Sequence, residues 1–222
     1  HRDLHSFPTR RSSDLTETAP LYDRIADWFD AHRGRDLREE GYLAHAAEAA
    51  SVTDGENGTL LDLGCGAGEP VAAWFIQKGW HVTGIDLSAA LLDKSRARFP
   101  AQEWLHADMR SIALNRRFDA ILAWDSFFHL TADDQRSMFG VFAAHLKPHG
   151  RLLFNTGTEA GTAYGQMDGH DFHHASLDVA EYRSLLAKHG FMIMLCDIAN
   201  PHCGGRTVWL AEYAPGTAAQ QI

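Results

Sequence analysis

Gly64, Gly66 and Gly68 alternate directly after the apolar run of Leu60, Leu61 and Leu63, and Pro70 follows where a helix could begin. Three residues without a Cβ let a turn adopt positive φ and bring its backbone against a ligand. Pro70 suits a first helical turn, where its missing N–H costs nothing. Taken alone, the glycines fit a plain connection as well as a binding turn. Asp86 adds a second signal. It closes another β-rich run about 20 residues further on, the interval at which nucleotide folds place a ribose-binding carboxylate.

Other chemistry-bearing residues cluster later in the chain. His170, His173 and His174 lie close in sequence. No metal is expected there, because no acid or cysteine completes a familiar ligand spacing and adjacent histidines often point apart. A substrate-loop role suits His174 better. Cys65, Cys196 and Cys203 have no metal-type spacing and read as reduced thiols. Arg206, after Gly204 and Gly205, could follow a hairpin turn or meet an acidic acceptor.

The elements that must position these residues alternate. Apolar residues at helical spacing predict an amphipathic helix over 21–32, and an Ala- and Glu-rich stretch predicts another over 37–50. Residues 59–63 form the first expected strand, and helix continues from the glycine turn to about 78. Strands are expected at 81–86, 103–108, 118–124 and 150–155. Helices fall between them, capped at Ser88 and Thr131. Such alternation requires parallel pairing with helices on both faces. Residues 156–176 read as a loop and 178–189 as a helix. Runs at 191–196 and 207–213 lack room for a crossover and should pair antiparallel.

At 222 residues the chain is long enough for one α/β domain with a full core. Its net charge of −9 argues against an extended nucleic-acid surface and favours a small or neutral substrate. No apolar run approaches a membrane span and the start lacks a signal peptide's apolar core, so a cytoplasmic location is expected. Nothing fixes the oligomeric state. Residues 1–15 have no periodic apolar pattern and resemble the in-frame translation of a sequencing-library adapter. They are set apart from the expected single domain at 16–222.

Asp62, the alternating glycines, Asp86, Asp108 with Met109 after the third strand and the closing two-strand run together resemble the class I S-adenosylmethionine-dependent methyltransferases. The resemblance covers nearly all of 21–213. It implies a Rossmann-like three-layer α/β sandwich, with a seven-stranded mostly parallel sheet and a C-terminal antiparallel hairpin. A nicotinamide oxidoreductase is the alternative, but its fingerprint is G-x-G-x-x-G and its sheet ordinarily ends on a parallel strand. A noncatalytic cofactor-binding protein is a third reading.

The cofactor implied by the resemblance is S-adenosyl-L-methionine. Gly64, Gly66 and Gly68 would lie under its methionine part with Asp62 near the amino group, and Asp86 would accept from the two ribose hydroxyls. Asp108 would accept from the adenine amino group while Leu87 and Met109 pack on the base. Ala123 and Trp124 would flank the sulfonium, although Trp124 also fits plain core packing. Tyr22 resembles an N-terminal lid tyrosine, and equally a helix-face aromatic. In-line methyl transfer to a small-molecule acceptor needs chiefly alignment. Where the acceptor must lose a proton, Asp125 and His129 are the candidate catalytic bases, His129 having the better ordinary pKa. Structural or helix-capping roles suit both as well.

Overall fold

Strands buried on both faces set the architecture, as the leucine-rich first strand requires. The computed structural model describes residues 15–49 and 57–216. Its helices are α1 (Leu15–Arg24), α2 (Ala26–His32), α3 (Glu40–Ala47), α4 (Val71–Gln77), α5 (Ala89–Arg98), α6 (Ala132–His145) and α7 (Val179–Lys188). Its strands are β1 (Thr59–Leu63), β2 (His81–Asp86), β3 (Glu103–His106), β4 (Phe118–Ala123), β5 (Leu146–Thr156), β6 (Gly161–Met167), β7 (His170–Ser176), β8 (Phe191–Asn200) and β9 (Arg206–Tyr213). Seven of the strands form one sheet in the order β3-β2-β1-β4-β5-β9-β8. The pairs among β1 to β5 are parallel, and β9 joins β5 and β8 antiparallel.

Alternate residues along each strand feed opposite cores. Leu61, Leu63, Ile121, Phe154 and Trp209 pack with Phe139 and Phe142 of α6 and Tyr182 of α7. Leu60, Leu122, Leu153 and Val208 pack on the other face with Leu43 of α3, Phe75 of α4 and Leu92 of α5. Phe139, Phe142, Phe154, Tyr182 and Trp209 are fully buried. Truncating any of these aromatics to Ala would cost about 3–5 kcal/mol through lost transfer energy and the cavity left behind.

Several local expectations are corrected. The single helix at 21–32 is instead the pair α1 and α2, bent at Ile25 (φ −101, ψ 13). The stretch 156–176 is not a loop but carries the antiparallel hairpin β6–β7, a separate two-stranded sheet. Its turn is Asp168-Gly169, both at positive φ (47 and 73), as a tight two-residue hairpin turn demands. The strand expected at 103–108 ends at His106, and the one expected at 150–155 extends over Leu146–Thr156. The adapter-like stretch lies outside the described residues except for Leu15, the first residue of α1. Among the described residues no helix is long and apolar enough to cross a membrane. Cys65, Cys196 and Cys203 are free.

Candidate active site

The glycine turn is fastened to the end of β2 by its own backbone. The Gly64 and Cys65 N–H groups donate to the Ile85 carbonyl at 2.7 and 3.1 Å. The Gly66 N–H donates to Asp86 Oδ2 at 2.8 Å, and Ser88 N–H donates to Asp86 Oδ1 at the same distance. Asp86 therefore joins the turn to the start of α5. Gly64 is required sterically: its φ is +81, and a Cβ there would stand 2.2 Å from the Ser126 Cβ. Ser126 cannot retreat cheaply, because its hydroxyl donates to the Leu63 carbonyl at 2.6 Å.

The turn forms one wall of a cavity at the C-terminal ends of β1, β2 and β4, where parallel α/β sheets hold their ligands. Tyr22, Asp62, Gly64, Gly66, Asp86, Leu87, Met109, Trp124, Asp125 and His129 all line it. The remaining expected residues do not. Ala123 is fully buried in β4, and a Cβ on Gly68 would meet Phe99 and Trp104 at 3.2 Å. Asp108 is turned to Arg110, accepting from its Nη2 at 2.6 Å and from its backbone N–H at 2.9 Å, so its carboxylate is committed to this neighbour.

Sequence reasoning missed Phe29 and Arg33, which line the same cavity. Phe29 stands two helical turns after Tyr22, and the rings meet edge to face at 5.2 Å. That spacing was a readable signal. Arg33, just past the end of α2, carried none.

Desolvation opposes the ionisation of two acids in the cavity. Burial, aided by the nearby charge of Asp86, pushes the Asp62 carboxyl up to about 7. Burial also raises Asp86, against three backbone N–H bonds that favour its charged form. Carboxylates held this way gain from a cationic ligand, which restores the favourable partner that water would supply. The cavity thus combines a glycine turn with two carboxyls, Asp62 and the diol-competent Asp86, a set that fits an ammonium- and sulfonium-bearing nucleoside.

At the opposite wall the Nδ1 of His129 faces the His173 carbonyl at 3.1 Å and so carries the proton. Its Nε2 then accepts from the Tyr22 hydroxyl at 2.9 Å. Burial pushes this imidazole down to about 4. The expected base is therefore neutral, with its lone pair already engaged. Asp125, at φ +53, accepts from Asn155 Nδ2 at 2.7 Å and is paired with Arg33 at 3.4 Å and with Arg206. Neither geometry is that of a free general base. His174 packs against Phe128 and His129, with ring centroids 4.6 and 5.0 Å away.

The segment α1–α2 covers the cavity and is latched to α5. Asp23 accepts from the Ser88 hydroxyl at 2.7 Å and the Ala90 N–H at 3.1 Å. Asp27 meets Lys94 at 2.5 Å, and Asp30 is paired with Arg98. These acids recur at helical spacing and face one partner helix.

A family profile described as "Methyltransferase domain" matches residues 60–150. YqeM of Bacillus subtilis, which bears a methyltransferase name, is 38% identical over 106 residues, covering 45% of this chain and 42% of YqeM. The dTDP-3-amino-3,4,6-trideoxy-alpha-D-glucopyranose N,N-dimethyltransferase of Streptomyces venezuelae is 31% identical over 137 residues, covering 58% of this chain and 54% of that one. The chain spans about half the length of the curated relatives it matches. Among solved structures, SAM-bound CalS10, described as an amino pentose methyltransferase from Micromonospora echinaspora, aligns with a TM-score of 0.62 at 18% identity. That alignment covers 96% of this chain and 100% of CalS10, a likeness of fold.

Proposed function

We propose that this chain is a class I S-adenosylmethionine-dependent methyltransferase, which binds S-adenosyl-L-methionine in the cavity beside the glycine turn and transfers its methyl group to a small-molecule acceptor. The single observation that carries this reading is the Gly66–Asp86 junction, where the turn backbone and a half-buried acid are held at 2.8 Å beside a buried acid, Asp62. The CalS10 structure, with SAM bound on the same fold, supports it. Residues 16–222 are taken as one domain with α1–α2 as its lid, and 1–15 as adapter-derived.

Bound S-adenosylmethionine supplies an activated methyl on a good leaving group. The chain's own residues bind and align. Asp86 accepts from the ribose hydroxyls, and Asp62 holds the ammonium. Gly64 and Gly66 let the backbone lie beneath, while Leu87 and Met109 offer apolar surface. Phe29, Trp124 and Tyr22 keep water from the reacting centre. His129 serves as a positioning residue through Tyr22, and Asp125 orders the mouth of the site. Alignment and desolvation are then the main sources of acceleration.

Calorimetric titration tests this reading. S-adenosylmethionine and S-adenosylhomocysteine should bind, and NAD should not. Asp86→Ala should weaken S-adenosylhomocysteine by about 1.5–3 kcal/mol, the range for a charge-assisted hydrogen bond. Preferential binding of NAD, or unchanged affinity in the variant, would overturn it.

A further inference from the structure

The methyl-transfer reading leaves the acceptor open, and the following inference rests on that reading. A second opening adjoins the cofactor cavity and shares Phe29, Arg33, Trp124 and Asp125 with it. At this seam Arg33 and Arg206 converge on the one carboxylate of Asp125. The nearby Arg38 is matched by Asp36 at 2.5 Å, and burial pushes the Glu39 carboxyl up toward its neutral form. Two guanidiniums thus meet one carboxylate beside the reacting centre, in a chain whose net charge is −9.

Those guanidiniums have donors to spare. Each presents five N–H groups, and among the described residues the Arg33 and Arg206 guanidiniums each make one hydrogen bond, to Asp125. Their planes lie over Phe29 at 5.7 Å and Phe128 at 5.0 Å, which supports them without using those donors. Arg side chains in this state suit bidentate capture of a carboxylate.

The proton inventory points the same way. His129 has one nitrogen donating to His173 and the other accepting from Tyr22, while Asp125 is engaged by Arg33, Arg206 and Asn155. A hydroxyl or ammonium acceptor must lose a proton during transfer, and neither His129 nor Asp125 is free to take it. A carboxylate has no proton to lose.

We propose that the acceptor is a small carboxylic acid, bound as its carboxylate by Arg33 and Arg206, and that the product is a methyl ester. A carboxylate oxygen forms the new bond to the methyl carbon while the carbon–sulfur bond breaks. The electron pair of that bond stays on sulfur, which becomes a neutral thioether, and no proton moves.

The test uses the full chain saturated with S-adenosylhomocysteine and titrated with benzoate, succinate and tricarballylate, each beside its amide. At least one acid should bind about ten-fold or more tightly than its amide, as two charge-assisted contacts imply. Arg206→Gln should abolish that preference without changing S-adenosylhomocysteine affinity, Arg33→Gln should also abolish it, and Arg206→Lys should retain part of it. With S-adenosylmethionine carrying a labelled methyl, the product label should be released as methanol by base. Equal binding of every acid and its amide, an acid preference surviving in both Gln variants, or base-stable label in an amine or alcohol would each overturn the proposal. If no S-adenosyl nucleoside binds, the underlying methyl-transfer reading fails, whereas nucleoside binding without acid preference removes this inference alone.

Discussion

The Tyr22 hydroxyl reaches across 107 residues of chain to Nε2 of His129 at 2.9 Å, so α1 is bonded directly to the segment that follows β4. The bond is directional because the His173 carbonyl fixes the proton on Nδ1. Tyr22→Phe keeps the ring contacts with Phe29 and Phe172 but leaves a buried nitrogen without its donor. It should weaken S-adenosylhomocysteine binding by about 1–2 kcal/mol by calorimetry. No change would show that the bond does not hold α1.

His129 makes stability depend on acid. Its folded pKa of about 4 lies below the ordinary 6.5, so the unfolded chain takes up a proton first as the pH falls. The contribution is complete above pH 6.5 and is lost as the pH drops through the folded value, by about 3 kcal/mol in all. His129→Gln should flatten this part of the Tm curve between pH 7 and pH 5. An unaltered slope would remove His129 as its source.

Asp62 gives the opposite sign and a binding signature. Its folded pKa is raised to about 7, so its contribution to stability is present below the ordinary 3.8 and is lost as the pH rises through about 7. A bound ammonium favours the ionised carboxyl, and below pH 7 binding must expel the proton. Cofactor affinity should therefore rise by up to about ten-fold per pH unit toward 7 and level off above it. Asp62→Asn should abolish that dependence, and a pH-independent wild type would place the ammonium elsewhere.

Gly64→Ala forces a Cβ to within 2.2 Å of Ser126 at a φ of +81. The loss should be about 2–4 kcal/mol or failure to fold, combining strain with overpacking. Gly41→Ala is the control. It lies in α3 with nothing within 4 Å of the added methyl, and it should stabilise the chain by about 0.5–1 kcal/mol. Similar Tm shifts in both variants would contradict the packing described at the turn.

The central fold was legible because β1, β2 and β4 are short apolar runs, each ended by a turn or an acid. That pattern has few other solutions once helices alternate with it. The hairpin β6–β7 was not legible, since β6 is largely exposed and its Gly, Thr and Gln residues give no apolar alternation. Its Asp168-Gly169 turn was the available clue. Gly64, Gly66 and Asp86 could be placed in one cavity because they belong to one local motif. The engagement of Asp108 by Arg110, and the meeting of Arg33 with Asp125 across 92 residues, depend on side-chain directions that periodicity does not encode.

One segment carries both Tyr22, which closes over the cofactor cavity, and Arg33, which completes the seam with Asp125. The docking of that segment on α5 therefore fixes both residues at once. If the methyl donor enters beneath this segment, addition should be sequential, the acceptor meeting both guanidiniums only once the segment is seated over the donor. Departure should then reverse the sequence, with the methylated product leaving before the spent donor. Steady-state kinetics should show S-adenosylhomocysteine competing with the donor and inhibiting noncompetitively against the acceptor.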